Sequence, residues 1–164
     1  MPELLWRPDP GKRLSILFDV YALSQHVRTL VATALAGSGM RPDDYATYSV
    51  VFEAGSLTMT ELARTVGAPL TTTADVVRTM RERGHLRKAA HPTDSRSHLL
   101  ALTPAGLRAH RKASAAFDRA HQALIAQLPP DAEAPTRAVL QQLTTCAAAA
   151  TSQLTQRRPA GARR

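Results

Sequence analysis

The sequence is poor in cysteine and has no long apolar run. Its single cysteine excludes an intrachain disulfide framework and a zinc site built from several cysteines, and it fits a reducing cytoplasm. No apolar stretch reaches the roughly 18 residues of a membrane-spanning helix, and the first residues lack the basic region and apolar core of a signal peptide. The 164 residues are about one domain's length. We therefore expect a soluble cytoplasmic protein, not a solenoid or a large doubly wound enzyme.

Acidic residues are also scarce. Thirteen Asp and Glu stand against 21 Lys and Arg, a formal net charge of +8 at pH 7. Residues 56–112 carry ten basic and four acidic side chains, and residues 157–164 add four arginines, whereas the segments 1–55 and 113–156 are each slightly acidic. A basic centre between near-neutral flanks favours a module that binds nucleic acid and is carried on an assembly scaffold.

The N-terminal part predicts an arm and two helices. Residues 1–12 contain three Pro and one Gly, which indicates an extended arm that crosses to another subunit. From residue 13 to about 36, two apolar stripes at helical spacing predict a helix with two faces to bury. Pro42 suits the first turn of a second helix, which runs to about Ala54.

The most informative segment lies between residues 57 and 84. Met59 or Thr60 opens a short helix, and Gly67 supplies the positive φ that turns the chain into a second helix, ending at Gly84. This pattern predicts a helix-turn-helix whose second helix enters the major groove of duplex DNA. The alternative is an ordinary helical corner with a polar face. The residues predicted on the DNA-facing side are Thr71, Thr72, Asp75, Arg78 and Thr79.

A hairpin follows the second helix. Residues 86–90 and 98–102 are strand candidates around a polar loop, and a hairpin in this position is typical of a wing. Asp94 either braces the loop backbone or orients the guanidinium of Arg96, which would contact phosphates or the minor groove. The alternative is a solvated ion pair of little consequence. Further phosphate contacts are expected from Arg64, Arg87 and Lys88.

Two long helices end the chain. Thr103 is predicted to cap the first, which runs to about Leu128 before Pro129 and Pro130 stop it. The last begins between residues 131 and 135 and continues past residue 154, with an Ala-rich face that permits close helix approach. Residues 156–164 form an Arg-rich tail that is predicted to be disordered.

The chain offers little chemistry for catalysis. It has no nucleophile with a base at a meaningful spacing and no phosphate-cradling Gly loop, and Asp43 and Asp44 are predicted to cap the second helix. Cys146 lies in the Ala-rich helix and is predicted to be buried. The six histidines offer no spacing for a shared metal ion. We therefore predict neither an enzyme nor a metal site, and no cofactor.

At these positions the sequence resembles the MarR family of bacterial winged-helix transcriptional regulators, over about residues 14–154. No single motif is specific for the family, but the set of motifs in this order is specific. The set consists of a Leu-Thr start, Glu-Leu-Ala, Gly, a Ser/Thr-rich recognition helix, a charged run ending in Gly, an Asp-x-Arg wing and a Leu-Thr-x-x-Gly helix start. Here the set reads Leu57-Thr58, Glu61-Leu62-Ala63, Gly67, Thr71-Thr72, Arg81-Glu82-Arg83-Gly84, Asp94-Ser95-Arg96 and Leu102-Thr103-Pro104-Ala105-Gly106.

The resemblance implies a mainly α fold with a small antiparallel β wing. A winged helix-turn-helix would occupy residues 38–103, and residues 13–37 and 104–155 would form the dimerisation helices. Two copies would then read the half-sites of a pseudo-palindromic operator. Asp75 departs from the family, whose recognition helices often carry Arg at this point. It would either accept from a cytosine amino group or repel phosphate, so the operator is left undefined.

The resemblance further implies a small-molecule pocket between the two regions. Arg28 and His26 would suit an anionic, phenolic or antibiotic-like effector, and Trp6 on the arm would cover the pocket or dock on the partner subunit. The alternative is that the aromatic residues are simply core. The candidates, which mix aromatic walls with polar anchors, are Tyr21, His26, Arg28, Tyr45, Tyr48, Phe52 and His110.

The prediction is a cytoplasmic, homodimeric, sequence-specific regulator of transcription with no membrane partner. It would act as a repressor that the effector releases from double-stranded DNA. Three alternatives stay open at this point: a regulator without a small-molecule response, a thiol- or metal-responsive regulator, and a protein-interaction module with no nucleic-acid partner.

Overall fold

Six helices and three short strands form within residues 15–94 and 96–156, the part of the chain that the computed structural model describes. The helices are α1 (Ile16–Leu35), α2 (Pro42–Ala54), α3 (Met59–Val66), α4 (Leu70–Glu82), α5 (Pro104–Ile125) and α6 (Glu133–Gln156). The strands are β1 (Leu57–Thr58), β2 (Leu86–Ala90) and β3 (His98–Leu102). The predicted arm with Trp6 and residues 157–164 of the predicted tail lie outside the described residues, whereas Gln156 ends α6. No helix of the described part is long and apolar enough to cross a membrane.

The helix-turn-helix is confirmed, and local chemistry explains its boundaries. The hydroxyl of Thr58 accepts from the backbone N–H of Glu61 at 3.3 Å, and the Glu61 carboxylate accepts from the Thr58 N–H at 2.8 Å. This capping box satisfies two donors at the start of α3 and lowers the pKa of the Glu61 carboxyl. Gly67 ends α3 in the left-handed conformation, with φ of 72°, and so turns the chain toward α4.

The wing hairpin has the predicted strands and one strand more. β3 lies between β1 and β2, and both pairings are antiparallel. β1 has only two residues, in which Leu57 pairs with Leu100. The fold class is therefore as predicted, a mainly helical winged helix with a small antiparallel sheet, but the β1 pairing was not predicted.

The core sits beneath the sheet and the helix-turn-helix. α4 buries Thr73, Val76, Val77 and Met80, and the last three lie in one apolar cluster with Leu35 at the end of α1. Burial of such apolar surface is the main favourable term in folding. The largest fully buried side chains are Tyr48, Leu35, Leu62, Met80, Leu100, Val51 and Thr47.

The start of α5 is joined to the end of the helix-turn-helix. The Thr103 hydroxyl accepts from the Gly106 N–H at 3.1 Å and donates to the Gly84 carbonyl at 2.7 Å, so Thr103 caps α5 as predicted. The Thr103 N–H donates to the His85 carbonyl at 3.0 Å. A methyl group on Gly106 would overlap that same carbonyl oxygen. The first turn of α5 therefore approaches the α4–β2 turn as closely as only glycine permits.

The chain's internal contacts form two compact units, one reaching Ala120 and the other starting at His121. In the second unit, His121 Nε2 lies 3.4 Å from Glu133 Oε1. α6 buries no side chain within the chain, and Cys146 is exposed. The prediction of a buried Cys146 is thus wrong for the single chain, because periodicity shows which face of a helix is apolar but not what covers it. The dimerisation role of residues 13–37 and 104–155 concerns a second copy and stays a prediction.

Candidate nucleic-acid interface and ligand cavity

The outer face of α4 is polar and accessible. Thr71, Thr72, Asp75 and Arg78 are exposed, while Thr79 is half-buried. Arg78 Nη2 donates to Asp75 Oδ1 at 2.8 Å, and the Thr79 hydroxyl donates to the Asp75 carbonyl at 3.1 Å. The helix thus presents one ordered guanidinium among short side chains, and short side chains let a helix approach base edges in the major groove closely.

A basic groove of about 580 Å³ runs between α4 and β2. It is bordered by Arg78, Arg81, Glu82, Leu86 and Lys88, so three cations face one carboxylate. Such an excess attracts phosphate. Arg81 was not predicted as a contact, although its position three residues after Arg78 puts the two on neighbouring parts of one helix face.

The wing loop is ordered by Asp94. Its carboxylate accepts from the Arg96 N–H at 3.0 Å, and its carbonyl accepts from the Ser97 N–H at 3.0 Å. Asp94 therefore braces the loop backbone, which is one of the two roles predicted for it. The Arg96 side chain is exposed to solvent. Arg64, Arg87 and Lys88 are exposed as well.

Buried polar side chains of α2 hold the end of α4. Asp44 is 2% exposed and accepts from Arg41 Nη2 at 3.1 Å, and Arg83 Nη1 lies 3.9 Å from its other oxygen. The Tyr48 hydroxyl lies 2.7 Å from His85 Nδ1. Burial raises the pKa of Tyr48 and lowers that of His85. These two contacts fix the α4–β2 turn to α2.

The expectation that Asp43 and Asp44 cap α2 needs correction. The N-cap residue is Arg41, and it makes no side-chain capping bond. Asp43 instead accepts two hydrogen bonds from Arg28 of α1, at 2.8 and 2.6 Å, while Asp44 is occupied by the arginines. Both carboxylates lie in the first turn, where their negative charge interacts favourably with the helix dipole. Their hydrogen-bond and ion-pair partners, however, are arginine side chains and not the backbone N–H groups of α2.

A cavity of about 950 Å³ is bordered by side chains of α1, α2 and α5. Among the seven predicted ligand residues, Arg28, Tyr45, Phe52 and His110 line it. Tyr21 and His26 are exposed on α1 and do not border it, and Tyr48 is fully buried and faces His85 instead.

Stacked rings form one wall of the cavity. The ring of His110 lies 5.5 Å from that of Tyr45 and 4.7 Å from that of Phe52, and Phe117 stacks on Tyr45 at 4.8 Å. His110 Nε2 lies 3.1 Å from the Ser49 hydroxyl. His110 Nδ1 is buried and has no hydrogen-bond partner among the described residues. Burial lowers the pKa of His110, which favours the neutral imidazole.

The charged lining is mostly acidic. Among the described residues, Arg28 is the one Lys or Arg side chain at the cavity, and it is held by Asp43. Glu53 and Asp118 also border the cavity. Sequence reasoning missed these two, along with Ser49 and Phe117. Ser49 and Glu53 follow Tyr45 by four and eight residues on α2, so helical spacing offered a signal for them.

No protein-family model matches the sequence, and no curated protein matches it either. Solved structures do match. A MarR-family transcriptional regulator from Rhodococcus sp. RHA1 is 24% identical, with a TM-score of 0.70 over 80% of this chain and 96% of that one. The chain has the MarR-family fold.

Two further structures with this MarR-like arrangement were solved with bound partners. CouR from Rhodococcus jostii RHA1, bound to p-coumaroyl-CoA, is 27% identical over 79% of this chain and 92% of its own, with a TM-score of 0.71. The transcriptional regulator MOSR from M. tuberculosis, in complex with DNA, is 23% identical over 84% and 98%, with a TM-score of 0.72. Two of these three structures, from Rhodococcus sp. RHA1 and M. tuberculosis, are named as transcriptional regulators, and all three share the fold of this chain.

Within residues 15–94 and 96–156, no group of three or more His, Cys, Asp and Glu side chains could hold a metal ion. Cys146 is exposed on α6, in the unit that starts at His121, whereas the residues that border the cavity all belong to the first unit.

Proposed function

We propose that the chain is a homodimeric, sequence-specific DNA-binding regulator, and that it is a repressor which a small molecule releases from its operator. The observation that carries the proposal is the exposed face of α4. There the Asp75–Arg78 pair lies beside a groove bordered by Arg81 and Lys88, and the wing follows directly along the chain. An accessible helix flanked by cations on two elements is what base reading and phosphate anchoring require.

In this proposal the contacts divide into two kinds. Arg78 and the threonines of α4 meet base edges in the major groove. Arg96 on the wing contacts the backbone or the minor groove, and Arg64, Arg81, Arg87 and Lys88 contact phosphates. Phosphate contacts set the register without reading sequence, whereas base contacts specify it.

A homodimer is supported by apolar side chains that the single chain leaves exposed. On α1, Leu17 is 74% and Tyr21 61% exposed, and on α6 Leu154 is 69% and Val139 55% exposed. Leu17 and Tyr21 are four residues apart and so share one face of α1, and patches of large exposed apolar side chains mark interaction surfaces in soluble proteins. A second copy is the occupant we propose, because a pseudo-palindromic operator matches the two-fold symmetry of a dimer.

Release by a ligand is supported by the position of α2. One side of α2 borders the cavity through Tyr45 and Phe52, while Asp44 and Tyr48 hold Arg83 and His85 at the end of α4. A ligand that binds one position of α2 more tightly than another would therefore shift α4 as well. Differential binding of the two states is what allows a ligand to change DNA affinity.

Fluorescence anisotropy titrations of the purified protein against labelled DNA from beside its own gene, and against random DNA, test the proposal. The logarithm of the affinity should fall linearly with the logarithm of the salt concentration. Arg96→Ala should weaken both DNAs alike and reduce the salt slope by about 1. Arg78→Ala should lower the preference for the operator. Arg137→Ala removes the same charge from α6 and serves as the control.

Two outcomes would contradict the proposal. One is a loss for Arg78→Ala that is equal on operator and random DNA, as expected for Arg96→Ala, because it would remove the base-reading role of α4. The other is a monomer by sedimentation at the concentrations used for DNA binding, or no binding to duplex DNA at low ionic strength.

A further inference from the structure

The cavity bordered by α1, α2 and α5 has a charge that differs from the sequence-based expectation. We propose that it binds an apolar, aromatic organic cation, an inference that rests on the proposed function for its regulatory meaning. The expectation of an anionic effector depended on Arg28 and His26. Arg28 is engaged by a carboxylate, and His26 does not border the cavity.

The charged side chains that border the cavity favour a cation. Arg28 donates to both carboxylate oxygens of Asp43, so this pair is neutral as a unit. Glu53 and Asp118 remain at the cavity, and neither forms an ion pair in the described structure. A concave surface with low-dielectric walls concentrates the field of such carboxylates. An anion in the same space would be repelled by both and would have to separate Arg28 from Asp43 to gain a partner.

The aromatic side chains that border the cavity also favour a cation. Tyr45, Phe52 and Phe117 border the cavity, with Tyr45 stacked between His110 and Phe117. The faces of aromatic rings carry negative charge density and attract cations, most strongly where water is excluded. The same rings bury apolar groups of the ligand. A volume of about 950 Å³ is within the range of small-molecule sites.

His110 supplies a third, independent observation. The residue is 6% exposed, and its Nδ1 is the buried side-chain polar atom without a hydrogen-bond partner among the described residues. When Nε2–H donates to the Ser49 hydroxyl, Nδ1 carries a lone pair. Buried polar atoms are normally satisfied. In that tautomer an N–H or O–H donor of a ligand, such as a protonated amine, can satisfy Nδ1. His110 therefore indicates a polar group on the ligand, and the carboxylates of the cavity decide the sign of its charge.

A matched pair of probes tests the sign of the charge. Tetraphenylphosphonium and tetraphenylborate have nearly the same shape and opposite charge, so the difference in their Kd values reports electrostatics and not size. Isothermal titration calorimetry on the full chain should give tetraphenylphosphonium the lower Kd. A second cation, protonated benzylamine, carries the N–H donor that tetraphenylphosphonium lacks and probes His110.

Variants of the lining residues show which side chains cause the difference in Kd between the two probes. Glu53→Gln with Asp118→Asn keeps the shape of the lining and removes both charges, and it should raise the Kd of tetraphenylphosphonium by about tenfold or more while leaving that of tetraphenylborate unchanged or lower. Glu133→Gln changes a carboxylate on α6 as the control. His110→Phe should weaken benzylamine more than tetraphenylphosphonium. Circular dichroism and thermal midpoints establish that each variant is folded.

Several results would overturn the inference: tighter binding of the anion, equal Kd values for the two probes, no binding of either, or an unchanged Kd in the Glu53→Gln, Asp118→Asn variant. DNA titrations without probe separate this inference from the proposed function. If the protein binds its operator in a salt-sensitive way but binds no cation, only the inference of a cationic ligand is contradicted. If a cation binds but does not change the affinity for the operator, the proposal that a ligand releases the protein from DNA is contradicted. The inference that the cavity binds a cation then still holds.

Discussion

The Asp75 carboxylate accepts a hydrogen bond from Arg78 Nη2 at 2.8 Å on the outer face of α4. Both side chains are largely exposed, at 71% and 66%, so the pair adds little to folding stability. The carboxylate raises the pKa of Arg78. Its larger consequence is geometric, because it holds a long flexible guanidinium in one place on the proposed reading face. It also lowers the net positive charge that this face offers to DNA.

Asp75→Asn should therefore relax sequence preference without lowering affinity in general. Loss of the carboxylate frees the guanidinium and removes a repulsion toward phosphate, so we expect random DNA to bind as tightly as before or more tightly. Discrimination against a mismatched operator should fall by about 1 kcal/mol, the lower end of what a good base contact contributes. Anisotropy titrations with a panel of single-base operator variants measure both effects.

A double-mutant cycle with Arg78→Ala shows whether the two residues act together. If they do, Asp75→Asn should change discrimination in the wild-type background but not when Arg78 is absent. Additive effects would contradict the positioning role of Asp75, and so would an Asp75→Asn protein that discriminates as well as the wild type.

The wing gives a second prediction, at Asp94. Asp94→Ala removes the acceptor that orders the Arg96 backbone, whereas Asp94→Asn removes the same charge and keeps an acceptor oxygen. We expect Asp94→Ala to weaken operator and random DNA alike, by about 0.5–1.5 kcal/mol relative to Asp94→Asn, the net value of a typical hydrogen bond. Faster hydrogen exchange of the Arg96 amide should accompany the loss. Equal affinities of the two variants would argue against the brace.

Much of the winged helix is predictable because its signals are local. Gly67 and Gly84 turn the chain with φ of 72° and 69°, and each stands where a helical period ends. β2 and β3 match the predicted residues 86–90 and 98–102. β1 was missed because a strand of two residues has no alternation of its own. It exists only because Leu57 pairs with Leu100, far along the chain.

The cavity was less predictable, since its lining depends on how helices rotate against one another. Tyr45 and Tyr48 differ by one helical turn in sequence, yet Tyr45 borders the cavity and Tyr48 is fully buried against His85. α1 has two apolar stripes, so its pattern left open which side chains face α2. The predicted Tyr21 and His26 fall on the wrong side for the cavity, whereas Arg28 is fixed beside it by Asp43.

Gly106→Ala gives a third prediction, which concerns stability. The added methyl group would overlap the His85 carbonyl, so the first turn of α5 must move and weaken the bonds of Thr103 to Gly84 and His85. We expect a loss of about 1–3 kcal/mol in the free energy of unfolding, as for other overpacked sites. Gly37→Ala is the control, because nothing lies within 4 Å of its added Cβ. Urea unfolding should leave its midpoint near the wild type, and equal midpoints for both variants would show that the close approach is not required.

His110, which is buried, and His85, which is half-buried, together predict how stability depends on pH. Burial lowers the pKa of His85 and of His110 in the folded chain, while in the unfolded chain both have the ordinary value of about 6.5. Above that pH both states are neutral, and the stabilisation is fully present. As pH falls below about 6.5 the unfolded chain takes up protons first, so the free energy of unfolding decreases until the folded-state pKa values are passed. Urea unfolding between pH 7.5 and 4.5 should show this decline, with carboxylates adding to it at the acid end.

Replacing both histidines isolates their share of the decline. His85→Asn keeps an acceptor for the Tyr48 hydroxyl, and His110→Gln keeps a polar atom near Ser49, which limits the change at pH 7.5. The double variant should lose less stability between pH 6.5 and 5 than the wild type, whereas His26→Gln, at an exposed site on α1, should follow the wild-type curve. Since the carboxylates are common to all three proteins, the difference between their curves reports the histidines alone. A double variant with the wild-type dependence, or a wild type more stable at pH 5 than at pH 7, would show that the folded chain does not hold these imidazoles neutral.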